Sequence, residues 1–571
     1  MTEHSFVSWD NASLCYRAWL PQTPTTRALL LFHRGHEHSG RWNETVEALA
    51  MGDVAIFAWD QRGHGKAPGE RGHAPSLAAV IKDADCFARH LVAAHGISLQ
   101  QTAVLASSVG AVIAAAWVHD FAPPVCGMVL AAPAFRVRLY VPFAIPFLRL
   151  KQKLMGPGIV KSYVKSRMLT HDAAQAAAYD ADPLIFRQIA VNLLLDLHDT
   201  GTRLVADAGA IRTPTLVLGA GTDWVVKLST PREFFERLGA PIKQFEVFGG
   251  FFHSLFAEKD RARVIARSRA FLQECFRRPS CDKELLHADK GSYTRTEFDL
   301  LRAPGSPRWA AGRLFLKTFG RLAGGVQLGW RAGFDSGVML DYIYENKPRG
   351  FTPLGKLIDY FYLNAIGWRG IRVRRQNLQR MLRSTMQAVH REGRPVRILD
   401  IASGPGRYVL EALRESADIP ASAMLRDYQQ ANLDAARKLA DQLQLRDVTT
   451  ALGDAFDRAS LAAINPRPTI AIASGLFELF PDNEPVLRSL CGIADAIEPG
   501  GYLLYTCQPW HPQVEFIART LTNREGKPWI MRRRTQAEMD ALVRAAGFEK
   551  IEQEIDQWGI FTVSLARRVP A

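Results

Sequence analysis

The sequence predicts two α/β domains in tandem, each built on a mostly parallel sheet. Three observations carry this. At 571 residues the chain is longer than one core usually organises. Short apolar runs alternate with helical patterns from Arg27 to Gly221, and the same alternation restarts at Val396 and continues to the end. A hydrophobic share of 47% and a charged share of 22% are those of a soluble globular chain.

The elements follow in order. The opening residues, MTEHSFVSWD, hold neither a basic nor an apolar leader region, so no secretory signal is expected. RALLLFH from Arg27, DVAIFAWD from Asp53, TAVLAS from Thr102, GMVLAAP from Gly127 and PTLVLGAG from Pro214 each read as a buried strand ending in turn chemistry. The stretch His90 to His119 lacks Asp, Glu, Lys and Arg. It contains Gly96, Gln100, Gln101, Ser107, Ser108 and Gly110, which fit a strand, turn and helix better than a membrane span. The alternation breaks at Ala134 and resumes near Thr213, so residues 134–210 are expected to form a helical cap on a first domain of residues 1–275. Residues 276–308, polar and broken by Pro and Gly, read as a linker. The second domain is expected over 309–571, with a helical, aromatic part at 309–390 and an α/β core at 391–571.

The net charge of +14 is localised. Between Asp120 and Asp172 there is no acid, yet eight Lys and Arg residues lie there, and residues 276–375 hold 18 basic against 9 acidic side chains. Both regions are also apolar. Arg313, Lys317 and Arg321 recur at helical spacing among Phe315, Phe319 and Leu322, as on a helix that meets an anionic lipid surface; a helix packed on its neighbours with its basic side in water fits the same pattern. Seven scattered cysteines without a C-x-x-C point to a reducing, cytoplasmic setting.

The first chemistry lies in LASSVGA. A hydrolytic serine sits on a sharp strand-to-helix turn, with small residues two positions before and after it. That register selects Ser108, between Ala106 and Gly110; Ser107 would put Leu105 and Val109 at the tight positions. Asp223 in GTDWVV and His253 in GGFFHSLF follow later strands, in the order nucleophile, acid, histidine. With FHRGHEHSGRW and WDQRGHGKAPG after the first two strands, these motifs resemble the α/β-hydrolase family, in its monoacylglycerol-lipase and serine-aminopeptidase-like branch. The resemblance implies Ser108 as nucleophile, His253 as base and Asp223 as its orienting acid. It implies oxyanion donors at the Val109 amide and at Gly35 or Arg34, where Arg34 replaces the family's glycine. His33, His36 and His38 read as a structural loop, and no metal is expected. An acid-free first half of the cap argues against a peptide's α-ammonium and for a lipid ester, a lysophospholipid or acylglycerol-like molecule.

The second chemistry lies in VRILDIASGPGRYVLEAL, a strand, glycine turn and helix. Asp427 and Asp454 end the next two strand units. With TIAIASGLFELF and IEPGGYLLYT, this order resembles the Rossmann-like class I S-adenosylmethionine-dependent methyltransferases; Ala402 stands for the first motif glycine. The resemblance implies S-adenosyl-L-methionine as cofactor, held at Asp400, Gly404 and Gly406, with Asp427 on ribose and Asp454 at the adenine end. A dinucleotide-binding domain is the nearest structural rival. The helical segment before the core would be either a lid over the acceptor or a layer flanking the sheet.

The expectation is therefore a bifunctional, cytoplasmic enzyme with small-molecule or lipid substrates and peripheral contact with an anionic membrane. The alternatives are a membrane-surface lipid-binding protein with a degenerate hydrolase domain, or a peptidase in the first domain. Nucleic acid is not expected as a partner, since no recognition module accompanies the basic charge.

Overall fold

The computed structural model describes residues 1–278 and 283–569. They belong to two compact units, Met1–Cys281 and Asp282–Ala571.

The first unit is built on an eight-stranded sheet. Its strands are β1 (Thr2–Val7), β2 (Ser13–Trp19), β3 (Ala28–Phe32), β4 (Ala55–Trp59), β5 (Thr102–Ser107), β6 (Gly127–Ala131), β9 (Thr215–Ala220) and β10 (Lys243–Phe248). Their order is β1-β2-β4-β3-β5-β6-β9-β10. The two pairings made by β2 are antiparallel and the rest are parallel. Strands β3, β4, β5, β6 and β9 are buried along their whole length, as their unbroken apolar runs require when both sheet faces are covered. Leu29, Leu31, Leu105, Val129, Leu216 and Phe271 share one core.

The expected cap falls between β6 and β9. It comprises the helices Ala144–Met155, Ala173–Ala181 and Val191–Ala206 and an antiparallel pair, β7 (Ile159–Lys161) and β8 (Gln188–Ala190). A buried charge network joins it to the sheet's own helix, Val109–Phe121. His119 bonds Asp120 at 2.7 Å and Asp207 at 2.8 Å, and Arg203 bonds Asp120 at 2.6 and 2.8 Å. Burial alone would lower the His119 pKa, but the bonds to Asp120 and Asp207 outweigh it and hold the value above the ordinary one. Asp120 is pulled down to about 2: burial works against this, and Arg203 and His119 prevail.

The second unit holds a seven-stranded sheet of β11 (Val396–Asp400), β12 (Ala421–Asp427), β13 (Val448–Leu452), β14 (Ile470–Ala473), β15 (Tyr502–Cys507), β16 (Phe548–Ile555) and β17 (Thr562–Arg568). The order is β13-β12-β11-β14-β15-β17-β16, with five parallel strands and β17 antiparallel between β15 and β16. This is a Rossmann-like sheet, and it leaves the carboxyl ends of β11 to β15 on one edge. The 26-residue helix Ile366–Arg391 packs against it through Leu378, Met381, Leu382 and Met386.

The span read as a linker is different. Residues 279–282 of it lie outside the described residues, but Lys283–His287, Ala288–Gly291 and Tyr293–Arg302 are helical and dock on their own unit. Asp289 accepts the Asn483 amide at 3.0 Å, Arg532 donates to Thr294, and Arg533 pairs with Glu297. The polar residues that suggested a solvated linker are partners of buried groups more than 180 positions away.

Charged His119 favours the folded first unit below about pH 6.5, and that contribution fades as pH rises through its raised folded pKa. Hydrogen-exchange protection of helix Val109–Phe121, corrected for intrinsic rates, should therefore fall as pH rises from about 6.5 into the alkaline range. In His119→Gln it should start lower and change less over that range.

Candidate active sites

Ser108 stands between β5 and the helix Val109–Phe121 with φ +55° and ψ −116°, a conformation non-glycine residues rarely adopt. The strain is over-determined by its neighbours. The Ser108 amide donates to Ala131 at 2.9 Å, and its carbonyl accepts from Ala111 and Ala134, both at 3.1 Å. At Gly110 a Cβ would lie 2.4 Å from the His33 carbonyl oxygen, so only glycine fits two residues after the serine. Ala106 is fully buried in β5 and its methyl is accommodated. Ser107 lines a different cavity, beside Glu37 and Trp42.

His253 Nε2 lies 2.8 Å from Ser108 Oγ, and His253 Nδ1 lies 2.8 Å from Asp223 Oδ2. The other Asp223 oxygen accepts the Val225 and Val226 amides at 2.7 and 2.8 Å. Burial would raise the Asp223 pKa, but His253 and the two amides hold it below the ordinary carboxylate value. An ionised Asp223 places the imidazole proton on Nδ1 and leaves Nε2 to accept from the serine hydroxyl.

The loop after β3 faces this turn. A Cβ on Gly35 would stand 3.0 Å from Val109 Cγ2, so the loop backbone runs against the start of the helix, where first-turn amides lack intrahelical acceptors. His33 braces it by bonding the Arg34 carbonyl at 2.7 Å and accepting the Gln61 amide at 3.0 Å. The Arg34 guanidinium forks onto buried Glu37. His38 bonds Asp182 at 2.9 Å, away from the partners of His33, and His36 Nδ1 is buried without a hydrogen-bond partner among the described residues. A cavity of about 650 Å³ opens over Ser108 and His253, walled by cap residues such as Leu139, Phe147, Leu148, Leu194 and Leu197. Of the eight basic residues that marked the cap, Lys161 alone lines it. Arg149 instead pairs with Asp199, and Arg138 bonds the Val226 carbonyl at 3.1 Å.

In the second unit a cavity of about 580 Å³ lies at the carboxyl ends of β11, β12 and β13. Gly404 and Gly406 have φ +55° and +65°. A Cβ on Gly406 would meet Leu425 at 2.6 Å, whereas one on Gly404 would have only Gly337 near, at 3.9 Å, so the turn is open to a ligand there. Asp427 lines the cavity, accepting the Gly404 amide at 2.9 Å, the Gln429 amide at 2.9 Å and Asn432 at 3.0 Å. Asp454 lines it too, and Phe456 and Phe480 meet edge to face at 4.4 Å beside it.

Asp400 is not brought to the cavity wall. It is fully buried behind the turn, accepting the Tyr408 hydroxyl and the Ala402 amide, and burial pushes its pKa up to about 7. The cavity also uses residues that the motifs did not mark: Asp335 and Arg374 from the preceding helical part, Asn432 after β12, and Arg524 and Trp529 after β15. Their side-chain types carry no signal at those sequence positions, since only the fold brings them to the edge.

Comparison with known proteins covers both units. The family model described as “Putative methyltransferase” matches residues 268–568, and the one described as “Serine aminopeptidase, S33” matches residues 23–260. The chain is 46% identical over 575 residues to “Uncharacterized protein YnbC” of Escherichia coli (strain K12), covering 99% of this chain and 98% of that one. A monoacylglycerol lipase of Mycolicibacterium smegmatis is 26% identical over 266 residues, which are 46% of this chain and 94% of the lipase. The crystal structure of Paleococcus ferrophilus monoacylglycerol lipase is 23% identical, with a TM-score of 0.42, covering 46% of this chain and 98% of that one.

Gly110→Val should destabilise the first unit by about 2–3 kcal/mol, because a β-carbon there collides with backbone that cannot withdraw. Urea denaturation read by pulse proteolysis of residues 1–278 measures this.

Proposed function

We infer the function from one premise: the chain belongs to the family, shared with YnbC, that joins an S33-type α/β hydrolase to a domain of the “Putative methyltransferase” family. For the first unit we propose hydrolysis of a carboxylic ester through an acyl-serine. The observation that carries this is the unbroken chain Ser108–His253–Asp223, with both links at 2.8 Å, beneath an apolar cavity.

His253 Nε2 would take the hydroxyl proton as Ser108 Oγ attacks the ester carbonyl, and Asp223 would stabilise the imidazolium so formed. The Val109 amide and the amide of Gly35 or Arg34 would receive the oxyanion. His253 would then protonate the leaving alcohol and activate water to release the acid. The binding of Arg34 by Glu37 supports an intact loop over the degenerate, binding-only alternative, since the extra side chain is drawn aside rather than over the serine.

The cavity favours a neutral, acylglycerol-like ester. Its walls are largely hydrocarbon, no carboxylate stands among the described residues that line it, and Lys161 is its one contribution from the basic cluster. A peptide's α-ammonium would find no counter-charge there, and a lysophospholipid head little. On the cap helix Ala144–Met155, Leu150, Leu154 and Met155 are exposed beside Lys153 and lie outside the cavity lining, which supports peripheral contact with an anionic membrane. Among the described residues no helix is long and apolar enough to cross a membrane. The free cysteines suit a cytoplasmic setting.

For the second unit the proposal is methyl transfer from S-adenosyl-L-methionine, and the residues fit that group. The Asp427 carboxylate has about four acceptor positions, three of them used, and this leaves one for a ribose hydroxyl. Asp454 would accept from the adenine amino group, with Phe456 and Phe480 against the ring. The Gly404–Gly406 turn lets the backbone approach the donor closely. When bound, the cofactor supplies a methyl group on a sulfonium centre. Asp400 would act behind the turn, by fixing Ala402 and Tyr408.

Two measurements test these readings. A fluorophosphonate probe should label the protein, and Ser108→Ala should abolish both labelling and p-nitrophenyl ester hydrolysis; Asp223→Asn should slow hydrolysis by about 10³–10⁴-fold. Persistent labelling of Ser108→Ala would sink the serine assignment. In calorimetry Asp427→Ala should weaken S-adenosylhomocysteine binding about tenfold or more, for loss of a bond to a charged acceptor.

A further inference from the structure

A second, smaller cavity of about 110 Å³ adjoins the donor cavity at the carboxyl ends of β14 and β15. The two share Asp335, Leu340, Arg374, Gly475, Leu479 and Trp529, so a group in the smaller one lies next to the donor site. Most other walls are apolar, among them Trp368, Ile371, Phe516 and Phe561. Three polar atoms in these walls are buried without a partner, Gln508 Nε2, Trp529 Nε1 and Tyr362 Oη. Gln508 and Trp529 are 2% and 8% exposed. His511, 4% exposed, adds a further donor. Its Nδ1 accepts the Gln513 amide at 3.0 Å, which puts the proton of the neutral ring on Nε2. Burial, helped by Arg533, lowers its pKa to about 4, so the ring is neutral at physiological pH.

Unpaired donors buried in an apolar wall are costly unless a ligand brings acceptor atoms. Three of these are N–H groups, and the fourth, the Tyr362 hydroxyl, can donate as well. Two carboxylates stand in the wall and both are paired: Glu478 with Arg374 at 3.3 Å, whose guanidinium also covers Phe561, and Asp335 with Arg524 at 3.1 Å. A ligand amine would find both carboxylates engaged. A ligand hydroxyl would need a base to take its proton, and His511 presents a proton instead. A carboxylate meets both conditions, since it brings only acceptor positions and is ionised before it binds.

We propose that the second unit is a carboxyl O-methyltransferase whose acceptor is the carboxylate of a small alkyl or aryl acid, held by Gln508, His511 and Trp529. The cavity has the liquid volume of about four waters, room for the carboxyl group and its first few carbons. A carboxylate oxygen attacks the methyl carbon, the C–O bond forms as the donor's C–S bond breaks, and the bonding pair goes to sulfur. The products are a methyl ester and a thioether, and no proton moves. This rests on the reading of the larger cavity as the donor site.

The test uses the full chain. S-adenosylhomocysteine is titrated first by calorimetry. Benzoate, butyrate, benzyl alcohol and benzylamine are then titrated against the saturated protein, with tryptophan fluorescence as the readout, and assayed with methyl-labelled donor. The two acids should bind and yield an alkali-labile product that releases methanol. Gln508→Leu and Trp529→Phe should each weaken acid binding about tenfold, the latter keeping an aromatic ring in place. If S-adenosylhomocysteine binds but neither acid does, or the label passes to the alcohol or the amine, the carboxylate acceptor is overturned and the donor site stands. If S-adenosylhomocysteine does not bind, the donor site falls and the proposal with it.

Discussion

Both units depend on one backbone constraint: a buried parallel strand must turn directly into a helix at the carboxyl edge of its sheet. The turn needs left-handed backbone, and the helix that follows presents amides without acceptors. In the second unit glycine meets the need, at Gly404 and Gly406. In the first the left-handed position is Ser108 itself, so the cost of the conformation falls on the residue whose hydroxyl meets His253. Bonds to Ala131, Ala111 and Ala134 secure it, and Gly110 lets the β3 edge come within touching distance. The His33–Gly35 loop and the loops bearing Asp223 and His253 are placed around that fixed point.

The second unit adds a constraint of its own. Arg532, Arg533 and Arg534 are consecutive and buried. Arg534 donates to the Phe477, Phe480 and Asp482 carbonyls, Arg533 to Pro509, and Arg532 to Pro481 and Glu538. These carbonyls belong to the two loops that leave β14 and β15, the loops that carry Glu478, Gln508 and His511. A buried ion pair is weak evidence for stability, because desolvation offsets most of its attraction. What the guanidiniums provide is geometry: a planar fork can bridge several carbonyls at once, which an ammonium on a flexible stem does poorly. The guanidiniums thereby tie down the two loops that wall the smaller cavity.

What the sequence made legible is local or ordered. Unbroken apolar runs marked β3, β5, β6 and β9, since burial on both faces leaves no polar alternation. The small-x-Ser-x-small register separated Ser108 from Ser107, and the order serine, acid, histidine pointed to the two loops that meet it. What stayed hidden depends on long-range partners. Residues 283–302 looked solvated because Asp289, Thr294 and Glu297 pair with residues near 483 and 533. Asp400 occupies a motif position, yet Tyr408, eight residues on in the first turn of the next helix, bonds its carboxyl in the core. The cap's basic, acid-free stretch left a lysophospholipid as open as an acylglycerol, but side chains on surface helices can point away from the cavity those helices cover, and of the eight basic residues only Lys161 lines it.

The two proposed chemistries act on one functional group in opposite directions: the first unit would release a carboxylate from an ester, and the second would make an ester from a carboxylate. Coupling by direct transfer is tempting, but the volumes oppose it. The cavity over Ser108 is about 650 Å³ and hydrocarbon-walled, large enough for an acyl chain, while the acceptor cavity is about 110 Å³. A long-chain acid could place only its carboxyl end in the latter, and the rest would have to lie across the neighbouring donor site, in competition with the cofactor. On these proposals the two cavities would separate substrates by size, a lipid ester in one unit and a small acid in the other.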